Sequence, residues 1–99
     1  MSDTSQFGEV KSFKPGNFPQ QLRLPEGTEY VEPDTEEGIR AALDAGYAVY
    51  VQSCDGRAFV WPEEGGEGYL ADRFFFGPAR QHRFESVEEA ASFAAGLCE

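Results

Sequence analysis

The sequence predicts an α+β fold: a small single domain with a three- or four-stranded, mainly antiparallel sheet centred on a hairpin at residues 47–61, and two helices packed on one face. Three observations carry that expectation. Two runs rich in Val, Tyr, Phe and Trp flank Asp55-Gly56, the strongest short-range hairpin signal a sequence offers. Asp34 with Glu37, and Ser86 with Glu89, stand at capping-box spacing ahead of apolar residues at helical intervals. The connections between these segments are short, which favours a layered arrangement of sequence neighbours.

In chain order, residues 1–24 read as an irregular aromatic N-terminal arm and residues 25–99 as the compact domain. The arm carries Phe7, Phe13 and Phe18 among Gly, Pro, Asn and Gln, with a turn at Lys14-Pro15-Gly16-Asn17. The three rings are expected to anchor the arm on its own domain. Residues 28–32 form a short strand through Tyr30 and Val31. Asp34 then caps a helix running to about Ala45, with Ile39, Ala42 and Leu43 on one face and Gly46 as its C′ residue.

With Asp55 and Gly56 as the central turn residues, Cys54 faces Arg57, Gln52 faces Phe59, Val51 faces Val60 and Tyr50 faces Trp61. A three-residue loop with a glycine bulge shifts this register. Side chains alternate between faces, so Tyr47, Val49, Val51, Ala58 and Val60 share one face and Tyr50, Phe59 and Trp61 the other. The aliphatic face suits helices. The aromatic face is either covered by the arm or open to a partner. Residues 63–68, Glu-Glu-Gly-Gly-Glu-Gly, read as a flexible acidic loop. A further strand follows at residues 69–76, in which Phe74-Phe75-Phe76 implies burial on both faces or one exposed ring. A short strand at residues 81–85 returns the chain to the Ser86-capped helix, with Ala90, Phe93, Ala94 and Leu97 on one stripe.

At 99 residues there is room for one core. Leu, Ile, Val and Phe number 21, close to the composition at which a highly charged chain fails to fold, so the nine Phe, four Tyr and one Trp must supply much of the buried area. Net charge is −10, beyond the magnitude of about 2 to 8 that suits an ordinary small domain. Eighteen acids against eight bases disfavour direct nucleic-acid binding and an anionic membrane surface. The N-terminus lacks a basic and then apolar leader, no run approaches a membrane span, and the two cysteines, Cys54 and Cys98, suggest reduced thiols. The expected location is cytoplasmic.

No metal or cofactor is expected, because one His and two distant Cys give no ligand spacing. A cysteine nucleophile would have to pair Cys54 with His82, a contact the spacing neither supports nor excludes. No phosphate-binding glycine loop precedes a helix. The chain is expected not to be an enzyme, with an unrecognised catalytic site as the third-ranked reading.

Charge distribution is more informative. Residues 25–72 hold twelve acids and two bases, whereas residues 73–84 hold Arg73, Arg80 and Arg83 and no acid. The candidate partner-binding residues are Glu26, Glu29, Glu32, Asp34, Glu36 and Glu37, joined by Glu63, Glu64 and Glu67, with Tyr50, Phe59 and Trp61 as aromatic anchors inside a charged rim. The expected function is to bind and block a basic protein surface, a nuclease or other nucleic-acid-binding effector, with carboxylates standing in for phosphates. In size and charge the chain resembles the small acidic inhibitors that phages carry against restriction or CRISPR systems, and the immunity proteins that neutralise nuclease toxins. No motif carries a functional residue across. The alternative is a housekeeping adaptor that binds a peptide or protein through the aromatic face.

Overall fold

The structure is a computed structural model that describes residues 9–16, 21–53, 56–75 and 78–98. In chain order its elements are β1 (Lys11–Ser12), β2 (Glu29–Val31), α1 (Glu36–Asp44), β3 (Ala48–Ser53), β4 (Gly56–Pro62), β5 (Tyr69–Phe74), β6 (Arg80–Phe84) and α2 (Val87–Cys98). The fold is α+β, but the sheet has six strands in the order β1-β2-β3-β4-β5-β6, not three or four. All neighbours pair antiparallel except β2 and β3, which are parallel, so the sheet is mixed. The parallel pair follows from the helix between them, since a chain that leaves one strand and returns through a helix re-enters the sheet in the same direction. The extra edge strand comes from the arm. Lys11 and Ser12 pair with Tyr30 and Glu29, and the ladder continues as Phe13 N donates to Thr28 O and Gly27 N to Phe13 O, both at 2.9 Å.

Local chemistry accounts for the ends of α1. Its N-cap is Thr35, not Asp34: Thr35 Oγ1 accepts from Gly38 N at 3.0 Å. Thr35 holds the extended backbone a cap requires, with φ −130° and ψ 156°. Ile39, Ala42 and Leu43 form the buried stripe, as their spacing predicts. The helix closes when Gly46, at φ +95°, donates to Leu43 O (3.1 Å) and Tyr47 N to Ala42 O (3.0 Å). These two bonds make a Schellman motif, and its positive φ is why a glycine stands there. At α2, Ser86 Oγ accepts from Glu89 N (3.2 Å), while the Glu89 carboxylate reaches past the cap to Glu85 N (3.3 Å). The box is thus made one residue further out than its spacing predicts.

The hairpin register differs from the expected one by two residues. Tyr50 faces Phe59, Val51 faces Ala58, Gln52 faces Arg57 and Ser53 faces Gly56. Gly56 therefore opens β4 rather than completing the turn, and residues 54–55, which connect the strands, lie outside the described residues. A slip of two preserves which face each side chain occupies, so both predicted faces survive. The reason for the glycine changes. Gly56 has φ +144°, and a Cβ there would sit 3.3 Å from Phe74 O, so the position favours glycine as a strand residue.

The two faces carry two cores. On the helix side, Val31, Val49, Val51, Ala58, Val60 and Ala71 pack with Ile39, Ala42 and Leu43 of α1 and Ala90, Ala91, Ala94 and Leu97 of α2. On the other side, Tyr30, Tyr50, Phe59, Trp61 and Phe74 are covered by Phe13 and Leu24 of the arm. Phe59, fully buried, sits at the centre: Phe13 and Tyr30 meet it edge-on at 5.3 and 5.2 Å between centroids, and Tyr50 tilts against it at 4.8 Å. Such aromatic pairs contribute about 0.5–1.5 kcal/mol each beyond area burial. The arm thus lies over the aromatic face through Phe13, while Phe7 and Phe18 are outside the described residues. Of the phenylalanine triplet, Phe74 is buried and Phe75 is 47% exposed, whereas Phe76 is not among the described residues.

One polar group is enclosed on this side. Asp72, fully buried between Leu70 and Phe74, accepts through Oδ2 from the backbone N–H of Arg23 and through Oδ1 from Arg23 Nε at 3.2 Å. The same guanidinium approaches Ala71 O and His82 O, each at 3.4 Å. Asp72 and Arg23 together clamp the arm across β5 and β6.

Two stability predictions follow. Gly56→Val is expected to lower stability by more than about 1 kcal/mol, through a positive φ and a close carbonyl. An unchanged urea midpoint would show that β4 starts differently. Arg23→Met, which keeps the stem and removes the charge, is expected to cost about 1.5–3 kcal/mol and to shift Trp61 emission to the red as the arm loosens. Unchanged emission and midpoint would show that Phe13 alone holds the arm.

Candidate acidic surface

The acidic residues are placed by three short pieces of chain. Residues 25–28 form a turn in which Thr28 Oγ1 donates to Pro25 O at 2.7 Å, leaving Glu26 in solvent. Glu29 opens β2 and is exposed, and β2 ends at Val31. An extended ladder through Glu32 and Asp34 therefore does not form, because the chain bends at residues 34–35 to set the Thr35 cap. Glu36 and Glu37 occupy the first turn of α1, where carboxylates offset the positive end of the helix dipole.

The third piece is the 63–68 loop, which closes on itself through hydrogen bonds. Glu63 N donates to Gly68 O (2.9 Å), Gly66 N donates to Glu63 O (3.3 Å), and Arg83 Nη2 holds Glu63 Oε1 at 3.0 Å. The glycines that weaken a loop by composition here permit its tight closure.

Glu26 and Glu29 stand at the end of the sheet where β3 begins and β4 ends, the end that also carries Glu63, Glu64 and Glu67. Glu32, Asp34, Glu36 and Glu37 lie toward the opposite end, around the start of α1. The sequence treats residues 25–37 as one cluster, and the structure divides it. Two of the nine carboxylates are paired: Glu32 with Lys11 of the edge strand, and Glu63 with Arg83. Each pair raises the pKa of its base, through the side-chain hydrogen bond first and the charge second. Glu26, Glu29, Asp34, Glu36, Glu37, Glu64 and Glu67 are exposed and form no ion pair among the described residues. Both neutralising bases stand about twenty residues from their partners in sequence, so only the paired strands bring them into reach.

The aromatic candidates are not at the surface. Tyr50, Phe59 and Trp61 are 8%, 0% and 6% exposed, beneath the arm. Trp61 does reach a small cavity at the Glu63 end of the sheet, lined by Pro25, Thr28, Gly46, Ala48, Trp61, Pro62, Glu63 and Glu64, with a volume of about 250 Å³. One edge of this cavity comes from the 25–28 turn and the other from the 63–68 loop.

His82 lies against Phe84 and Phe93, with ring centroids 6.3 and 5.0 Å away, and Cys54 is outside the described residues. Among the described residues, no group of three or more His, Cys, Asp or Glu is placed to hold a metal ion, and no helix is long and apolar enough to cross a membrane. The chemistry this surface offers is the attraction and hydrogen bonding of cations.

Burial raises the phenol pKa of Tyr50 and of Tyr69 above the ordinary 10.0. The folded chain keeps these protons to higher pH than the unfolded chain, so their contribution is fully present below pH 10.0 and is lost as pH rises through the raised values. The melting temperature is expected to fall above about pH 10, and Tyr50→Phe to make that fall shallower. An identical alkaline profile in the variant would show that Tyr50 ionises freely in the folded state. Comparison with known proteins finds no matching family model, no similar curated sequence and no similar solved structure.

Proposed function

We propose that the protein is a non-enzymatic binding protein whose exposed carboxylates engage and block a basic protein surface, of the kind that otherwise holds nucleic acid. The observation that carries this reading is the set of seven exposed carboxylates that form no ion pair among the described residues, on a chain of net charge −10. Glu36 and Glu37 complement the α1 dipole, but the other five carboxylates have no such compensation, and their like charges repel one another. A partner lined with Lys and Arg gains attraction at a distance and hydrogen bonds on contact. Nucleic-acid-binding grooves are such surfaces. On this reading it acts in the cytoplasm, where such partners work, and as an inhibitor of the phage anti-defence or immunity-protein kind.

The adaptor alternative is less well supported. It needs Tyr50, Phe59 and Trp61 at the surface, and these rings lie under Phe13 and Leu24.

The test reverses charge where no ion pair or helix cap depends on it. Glu26, Glu29, Glu64 and Glu67 changed together to Lys are expected to slow association with a basic partner captured by cross-linking in the source cells by about ten-fold or more at low salt, with circular dichroism unchanged. The parent should also compete with duplex DNA for that partner. A charge-reversed variant that binds as tightly as the parent at both low and moderate salt would overturn the proposal.

A further inference from the structure

Resting on that reading, we infer that the cavity between the 25–28 turn and the 63–68 loop receives one arginine or lysine side chain of the partner. Its volume of about 250 Å³ is below the range of roughly 300–1,000 Å³ typical of small-molecule and cofactor sites, and suits a single side chain. Pro25, Pro62, Ala48 and Trp61 provide apolar lining, and Glu63 and Glu64 add carboxylates to it. That order of surfaces matches a long cationic side chain, whose methylene stem prefers apolar contact while its charge seeks carboxylate or water. An apolar ligand would leave these carboxylates facing it, and an anion would be repelled by them.

The two carboxylates differ in what they can give. Glu63 already holds Arg83 at 3.0 Å and so is fixed in place as the cavity wall. Glu64 is exposed and forms no ion pair among the described residues, which leaves it to receive the incoming charge. Trp61 is 6% exposed, its backbone lies in the β4–β5 ladder opposite Leu70, and its indole N–H makes no hydrogen bond among the described residues, so the indole remains able to donate to a backbone carbonyl of the same partner residue. Closure of the 63–68 loop matters here, because the Glu63 N to Gly68 O hydrogen bond already constrains the wall that the side chain would meet.

The probe is N-acetyl-arginine amide, titrated into the full chain with backbone amide shifts and Trp61 fluorescence as readouts. N-acetyl-citrulline amide, of the same shape without the charge, is the control. Arginine is expected to saturate with a dissociation constant on the order of a millimolar, moving the amides of Thr28, Ala48, Glu63 and Glu64. Citrulline should not saturate, and Glu64→Gln should weaken arginine binding about two- to five-fold. Equal binding of the two probes would overturn the cavity assignment. So would arginine shifts that spread without saturation over residues 26–37 while an octalysine peptide still binds in a salt-dependent manner, an outcome that leaves the acidic-surface reading standing. If neither arginine nor octalysine binds, both readings fall together.

Discussion

Asp72 is a carboxylate with no exposed surface, in mid-strand between Leu70 and Phe74 on the aromatic face. The rest of that face is arranged around the way its charge is met. An isolated buried carboxylate would cost several kcal/mol. The N-terminal chain supplies a backbone N–H and a guanidinium from the same residue, Arg23. That demand selects a path for the arm across β5 and β6, and the same path carries Leu24 into the aromatic cluster. A sheet with two apolar faces and two helices on one of them needs a second cover. The arm provides it through a polar contact that sets its position and an aromatic contact, Phe13 on Phe59, in which both rings are buried.

The parts of the fold legible in sequence are those governed by local chemistry. Ile39, Ala42 and Leu43 sit on one stripe because helical spacing leaves no other arrangement, and Gly46 ends α1 because the left-handed position suits few other residues. The alternation of the hairpin assigned every side chain to its observed face even though the register was two residues off, since only an odd slip exchanges faces. Thr35 and Asp34 are both good caps, and nothing in the pattern separates neighbours of equal propensity. The sixth strand was illegible for a different reason. Lys11-Ser12 has no strand signal of its own and exists because Tyr30 and Glu29 offer an open edge.

The acidic surface was legible in composition and not in arrangement. Which carboxylates are exposed follows from their chemistry, but the pairing of Glu32 with Lys11 and of Glu63 with Arg83 depends on strand partners far apart in sequence. Asp72 shows the limit of counting charges: it belonged to the same acidic tally as Glu63 to Glu67 and proves to be a structural group. A lone acid in the apolar run Tyr69-Leu70-Ala71-Asp72-Arg73-Phe74 was the available signal, since acids are almost never fully buried without a partner.

Dividing the carboxylates between two ends of β2 does not divide their field. β2 is three residues long, and Glu29 and Glu32 are separated by about 10 Å of extended chain, close to the screening length of about 8 Å at physiological ionic strength. On the proposed reading, a basic partner at larger distances would therefore meet one negative region, and the separation between ends would have little effect on its approach. At contact the two ends differ. Around α1 the carboxylates Glu36 and Glu37 are partly engaged by the positive end of the helix dipole, whereas Glu64 stands beside an apolar cavity that borders the other end of α1 at Gly46. A field alone gives fast association with any cation. Discrimination among basic partners has to come from a shaped contact, and on this surface the Trp61 end is where charge and shape coincide.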